Sequence, residues 1–260
     1  MSDFNNHPVR FCSLGSGSKG NATLLSFKNT LLLIDCGFSQ RETLKRLNAK
    51  GISAEQITAI LVTHEHSDHI SGVAGLANKY SIPVWLTKGT SLSDKANFTS
   101  VTKHLNNHDS LLIGDIDITP VAVPHDSREA TQFTFQMGEV KLGLLTDVGH
   151  ITPHIIDKYS NCHVLLLEFN YDQQMLIGSR YPYKLKQRVS GSLGHLSNEQ
   201  SIEFLEKVNT ADCQILVAMH KSEQNNSTEI ILNALAKIKK SENFKLSVAE
   251  QASGFEWIEI

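Results

Sequence analysis

The chain predicts an α/β fold of the mixed, α+β kind, with helices lying outside β-sheets. Three observations predict it. Short apolar runs recur along the whole length, and helical patterns that open on capping signals fall between some of them. The first third mixes the two, the middle is β-rich, and the end returns to β–α alternation, an order that fits sheets flanked by helices better than one doubly wound parallel sheet. Finally, the run Thr63-His64-Glu65-His66-Ser67-Asp68-His69 follows directly on a short apolar strand and precedes a helical pattern. That places polar, metal-ligating side chains at the carboxyl end of a strand, where open α/β sheets carry their sites.

Taken in order, strand-like runs fall at 9–14, 22–27, 30–35, 59–63, 84–86, 110–113, 115–123, 131–137, 140–146, 164–168, 214–218 and 255–260. Between the first two, Leu14-Gly15-Ser16-Gly17-Ser18-Lys19-Gly20-Asn21 is glycine-rich but lacks the spacing of a phosphate-binding P-loop. It reads as a tight turn beside the site, within which Asn21 can hydrogen-bond. Ser39-Gln40-Arg41-Glu42 is a capping box opening a helix that Gly51 can stop. Ser53-Ala54-Glu55-Gln56 is a second box. Ile70, Val73, Ala74 and Ala77 show helical spacing up to Tyr80. Ser197-Asn198-Glu199-Gln200 is a third box, opening a helix through about Val208. A further helix fits 227–240, with Ile230, Ile231, Ala234, Leu235 and Ile238 on one face. No linker, low-complexity tract or repeat is detectable, and 260 residues fit a single domain, 1–260.

Composition narrows the classes. A formal charge of −3 gives no global bias toward nucleic acid or membrane, and 40% hydrophobic residues suffice for a core. The four cysteines (Cys12, Cys36, Cys162, Cys213) are far apart and form no C-x-x-C pair. A disulfide framework and a structural zinc knuckle are therefore disfavoured, and buried thiols in a reducing compartment are expected. The polar first ten residues lack an export signal and no apolar stretch approaches a membrane span, so a cytoplasmic protein is expected.

The chemistry lies in the 63–69 run. In an extended segment the rings of His64 and His66 point the same way. Imidazole suits zinc, iron and manganese, while carboxylate suits harder ions and can bridge two of them. H-x-H-x-D-H thus reads as the seed of a two-metal site, in which paired ions activate water and clamp a displaced oxygen. The competing reading is a solvated His-rich loop, opposed by the buried strand before it and the helix after it. His125, Asp147 and His220 each sit just past an apolar strand. One such residue is ordinarily a loop residue or a cap; three of them after this seed complete a ligand set.

These motifs together resemble the metallo-β-lactamase-fold hydrolases across nearly the whole chain. The family pattern is an Asp after an early strand, H-x-H-x-D-H, then a His, an Asp and a last His at strand ends; here these are Asp35, the seed, His125, Asp147 and His220. The resemblance implies a four-layer αββα sandwich with the site at one edge. It implies two divalent ions per chain, zinc or manganese with iron also fitting. His64, His66 and His125 would hold one, Asp68, His69 and His220 the other, and Asp147 would bridge them; Asp35 would orient the ligand loop. Leu14 to Asn21, Pro124-His125-Asp126 and Gly194-His195-Leu196-Ser197-Asn198 resemble the YycJ/WalJ/VicX branch, which is associated with DNA exonuclease activity. In phosphodiesterases of this superfamily, such as tRNase Z, a His in a similar place is held by a carboxylate and protonates the leaving oxygen. By analogy that His is His195 and the carboxylate Glu168; the pairing raises a His pKa and suits a general acid. The bland alternative is that His195 only begins the helix. Asp68, His195 and Glu168 are the catalytic candidates. Just before His195, Arg180, Tyr183, Lys184, Lys186 and Arg188 form a basic, aromatic run that reads either as a solvated loop or as a DNA contact.

The expected activity is therefore phosphodiester hydrolysis on DNA through a metal-bridging hydroxide. A thioester or small-ester hydrolase of glyoxalase II type is the alternative; it has no need of His195, because a thiolate leaves without an acid. A non-catalytic scaffold is a third reading, opposed by the intact ligand set. Between His125 and Asp147 there is no room for the substrate arm of tRNase Z, and between Asp147 and His220 none for a β-CASP domain.

Overall fold

In the computed structural model, described for residues 7–99, 101–238 and 245–260, the apolar runs pair into two seven-stranded sheets. The strands are β1 (Arg10–Gly15), β2 (Ala22–Phe27), β3 (Thr30–Ile34), β4 (Ala59–Leu61), β5 (Val84–Thr87), β6 (Thr102–Leu105), β7 (Leu111–Ile113), β8 (Ile116–Ala122), β9 (Thr131–Met137), β10 (Val140–Leu145), β11 (Val164–Glu168), β12 (Ile215–Met219), β13 (Lys245–Val248) and β14 (Phe255–Glu259). The helices are α1 (Gln40–Ala49), α2 (Ser67–Ile70), α3 (Val73–Tyr80), α4 (Lys88–Ser91), α5 (Pro153–Tyr159), α6 (Gln173–Gly178), α7 (Tyr183–Val189), α8 (Asn198–Lys207) and α9 (Thr228–Leu235).

Both sheets are mixed. The first runs β14-β1-β2-β3-β4-β5-β6 and the second β13-β12-β11-β10-β9-β8-β7. From β1 to β6 successive pairings are antiparallel, antiparallel, then parallel three times. From β8 to β13 the same order recurs. Strands buried on both faces read as continuous apolar runs, and alternate residues serve different layers. In β12, Ile215, Val217 and Met219 pack into the core shared with the first sheet, whereas Leu216 and Ala218 pack outward with Phe204, Ile231 and Leu235 of α8 and α9. On the other side Leu47 of α1 and Val73 and Leu76 of α3 cover the first sheet. Helix, sheet, sheet, helix is the expected αββα sandwich.

Several local expectations are corrected. The 63–69 run is a loop only as far as His66, the N-cap of α2, and Asp68 and His69 are already helical. In α1, Ser39 caps Glu42 N, but Glu42 pairs with Arg46 instead of closing a box. The second box opens only a 3-10 turn, Ala54–Gln56. The basic run near 180–188 is no loop: from Tyr183 it is the helix α7. The last predicted helix is observed over Thr228–Leu235, and residues 239–240 lie outside the described residues. Strands β6 and β13 and helices α2 and α4 to α7 were not read from the sequence. All four cysteines are free and buried. Among the described residues no helix is long and apolar enough to cross a membrane.

Candidate metal centre

Five strand ends converge to build the site. The chain leaves β3 at Asp35, β4 at Thr63 and His64, β10 at Asp147, β11 at Glu168 and β12 at His220. Three of these turn in the left-handed region: Asp35 (φ 60°), Asp147 (φ 54°) and His220 (φ 52°). A residue other than glycine in that region costs about 1–3 kcal/mol, and such strain clusters at functional sites.

The predicted ligands are brought together. His64, His66 and His125 offer ligand atoms within 4.8 Å of one another, as do Asp68, His69 and His220, and likewise His64, His69 and Asp147. All seven therefore form one continuous cluster. His69 Nε2 lies 3.4 Å from Asp147 Oδ2 and 3.5 Å from Asp68 Oδ2. His220 Nε2 lies 3.6 Å from both Asp68 Oδ2 and Asp147 Oδ1.

Outer partners decide which nitrogen of each ring is left for a metal. Carbonyls can only accept, so His66 Nε2–H donates to Asp126 O (3.2 Å) and His125 Nδ1–H to Gly194 O (3.0 Å). His69 Nδ1–H donates to Asp35 Oδ2 at 2.7 Å. Thr63 Oγ1 gives its proton to Asp35 Oδ2 (2.9 Å) and so accepts from His64 Nδ1 (3.0 Å). His220 Nδ1 faces Glu168 Oε1 at 3.3 Å. The lone pairs that remain are His64 Nε2, His66 Nδ1, His69 Nε2, His125 Nε2 and His220 Nε2. Among the ligand candidates, three buried atoms have no hydrogen-bond partner among the described residues: His64 Nε2, His220 Nε2 and Asp147 Oδ2. An orphaned buried polar atom is costly, and three of them on the inner face of a His/Asp cluster fit divalent cations.

Electrostatics agree. Burial pulls His64 well below its usual pKa and lowers His125, so both rings are neutral, as ligands must be. Burial opposes ionisation of Asp68 and Asp147 too, but His69 and His220 outweigh it and hold both carboxyls well down. In return His69, although buried, is driven well up by Asp147 and Asp35. His220, also buried, is raised to about 10 by Asp147, Asp68 and Glu168. The cluster thus draws in positive charge.

Supporting residues surround it. Asp35 is fixed by Thr63 N (2.8 Å), so one carboxylate braces Thr63 and His69 directly and His64 through Thr63 Oγ1. Asn21 Oδ1 accepts from Gly17 N (2.8 Å), where φ is +143° and glycine is favoured. Its Nδ2 lies 3.1 Å from His69 Nε2 and 3.4 Å from Asp68 Oδ2. Glu168, fully buried, accepts from Val148 N and Leu196 N at 3.1 Å each, and its Oε1 is 2.8 Å from His195 Nδ1. Burial would raise the Glu168 pKa, but His195 and His220 lower it overall. His195, 20% exposed, stacks on His220 with ring centroids 5.2 Å apart. Its Nε2 has no partner among the described residues.

Of the basic run, Arg188 reaches the site, through Asp126 (2.5 Å). Lys186 is tied to Ile177 O, and Tyr183 to Gln187. Arg180 and Lys184 are exposed. Three contributors were missed as residues with roles: Thr63, Asp126, and Asn170, whose Nδ2 bonds His220 O at 2.9 Å. The Pro124-His125-Asp126 motif was the signal for Asp126; Asn170 gave none. A cavity of about 550 Å³ lined by Val9, Phe27, Met137 and Ile260 contains none of these residues.

An αββα sandwich with this His/Asp cluster on its strand ends defines a metallo-β-lactamase-fold hydrolase, and the chain belongs to that superfamily: the family model described as "Beta-lactamase superfamily domain" matches residues 30–220. It is similar to Exodeoxyribonuclease YycJ of Bacillus anthracis, with 29% identity over 245 residues, 93% of each chain. It is 31% identical to Exodeoxyribonuclease WalJ of Streptococcus pneumoniae serotype 2 over 227 residues, 85% of this chain and 84% of that one. In fold it resembles the metallo-β-lactamase fold protein YhfI of Bacillus subtilis, with a TM-score of 0.76 and 18% identity over 97% of this chain and 100% of the other.

Proposed function

We propose that the protein is a dinuclear metal-dependent phosphodiesterase acting on DNA, with exonuclease character. The observation that carries this is the set of inward-facing lone pairs beside a His195–Glu168 pair; the names of the YycJ and WalJ relatives support DNA as the substrate. One ion would be held by His64 Nε2, His66 Nδ1 and His125 Nε2, the other by Asp68, His69 Nε2 and His220 Nε2, with Asp147 between them. Zinc or manganese there supplies Lewis acidity, which makes water a nucleophile near neutral pH and neutralises charge on a phosphate.

The chain's own residues do the rest. Asp35 and Asn21 fix His69 and Asp68. Glu168 holds His195 by Nδ1 and leaves Nε2 to carry a proton to the departing sugar oxygen. An alkoxide needs that proton; a thiolate does not, and the pair therefore favours a phosphodiester over a thioester. Arg188, paired with Asp126, is the candidate backbone contact nearest the cluster, and the exposed Arg180, Tyr183 and Lys184 and the half-buried Lys186 would extend it along the strand.

The test is hydrolysis of a 5′-phosphorylated DNA duplex with zinc or manganese, beside Asp147→Ala. Metal-dependent loss of nucleotides that disappears in the variant is expected. Full activity in Asp147→Ala, or no cleavage of DNA together with turnover of a thioester, overturns the proposal.

A further inference from the structure

Of the five basic-run positions, Arg188 alone is built into the site. It lies in the last turn of α7, and its Nε donates to Asp126 Oδ2 at 2.5 Å. Asp126 in turn is anchored against the ligands. Its backbone N bonds Leu193 O at 3.0 Å and its backbone O takes the His66 proton. Its Oδ1 lies 3.5 Å from His125 Nε2 and 3.7 Å from His66 Nε2, and is buried with no hydrogen-bond partner among the described residues.

An ion pair whose arginine is 56% exposed contributes little to stability. Stability therefore does not account for a carboxylate kept beside two ligands with one oxygen unpartnered. Positioning does. A guanidinium gripped at Nε cannot swing freely, and its Nη edge, without partners among the described residues, is left as a fork suited to a phosphate. The Asp126 carboxylate stands between Arg188 and the His66–His125 pair. A phosphate at the ligands is thus one carboxylate removed from Arg188, and the group within its reach is the neighbouring phosphate of the same strand.

We propose that Arg188, positioned by Asp126, binds the phosphate next to the scissile one, so that the enzyme prefers ends carrying that extra phosphate. This rests on the phosphodiesterase reading above and adds a specificity residue, Arg188, and a positioning residue, Asp126.

The experiment compares three thymidine dinucleotides with the manganese-loaded enzyme: one with a 5′-phosphate, one with a 3′-phosphate and one with neither. One phosphorylated form should be preferred about tenfold in kcat/KM, mostly through KM, the scale of one charge-assisted hydrogen bond. Arg188→Ala should bring the ratio close to one and Arg188→Lys should retain part of it. Asp126→Asn should lower the ratio while Arg188 is present. The double variant should show no greater loss than Arg188→Ala. Metal content is measured for every variant, since a merely structural role for Asp126 would lower ion occupancy and leave the ratio unchanged. Wild-type enzyme that cleaves DNA without such a preference, or Arg188→Ala that keeps it, overturns the proposal. No cleavage of DNA at all instead overturns the phosphodiesterase reading beneath it.

Discussion

Two imidazoles share one carboxylate oxygen. Glu168 Oε1 faces His195 Nδ1 at 2.8 Å and His220 Nδ1 at 3.3 Å, while Oε2 is spent on Val148 N and Leu196 N. The same residue thus orients the candidate acid and the last candidate ligand. A general acid matters in proportion to how poor the leaving group is. His195→Ala should therefore lower kcat on DNA by about 10²–10⁴-fold, and lower it much less on bis(p-nitrophenyl) phosphate, whose leaving group needs little protonation. Equal losses on both, measured with the metal-loaded enzyme, would remove His195 from the acid role. At this scale the sequence was informative where spacing carries the meaning. H-x-H-x-D-H and three strand-end residues are visible as a pattern. The tautomers were not, because carbonyls such as Asp126 O and Gly194 O fix them and any residue supplies a carbonyl. Nor were the left-handed turns at Asp35, Asp147 and His220, since their residue types do not demand that conformation.

Elements with strong local signals were legible. β12, all five residues buried, announces itself as an apolar run, and α8 carries a closed capping box between Ser197 and Gln200. Elements defined by position were not. β6 is an edge strand with three of its four residues exposed, so Thr102-Lys103-His104-Leu105 has no apolar pattern to show. The short α2 is likewise hidden, because tertiary contacts hold it. Cys36 N bonds His69 O at 2.8 Å, Asn21 N bonds Asp68 O at 2.8 Å, and Gly37 N bonds Asn21 O at 3.0 Å. A Cβ on Gly37 would fall on the Asp68 carbonyl and 2.9 Å from Asn21 N. Backbone atoms cannot step aside as a flexible side chain can. Gly37→Ala should therefore cost about 1–3 kcal/mol, the range for overpacking, and weaken metal binding with it, because the displaced carbonyl belongs to Asp68, a proposed ligand. Urea denaturation and metal titration measure the two effects. Wild-type affinity in a destabilised variant would show that α2 moves as a unit without disturbing its ligands.

Across the whole molecule, the two sheets repeat one pairing order, β1 to β6 and β8 to β13, and the strand third in each order leads into an aspartate: Asp35 after β3 and Asp147 after β10. No repeat is visible in the sequence because the likeness lies in backbone pairing, which many side chains satisfy. The site joins the two halves. His64, His66, Asp68 and His69 come from the first sheet's connections, and His125, Asp147 and His220 from the second's. Ions bound there would tie the sheets together, and their removal should leave a stability that depends on pH in a definite direction. In the metal-free protein His69 and His220 are raised, the latter to about 10 from 6.5. Their contribution is complete below pH 6.5 and is lost as pH climbs toward 10. His64 and His125 are lowered from 6.5, so their contribution is present above that value and is lost as pH falls. The depressed carboxylates Asp68, Asp147 and Glu168 act in the same sense at lower pH. Chelated protein should accordingly be most stable near pH 6.5. The loaded protein should respond differently, because ions held as proposed would take the place of the protons on His69 and His220 and bind more tightly as pH rises. The Tm gap between loaded and chelated protein, read by calorimetry, should then be wider at pH 9 than at pH 6.5. A gap that narrows over that interval would mean that His69 and His220 do not exchange protons for metal, and would place the ions elsewhere.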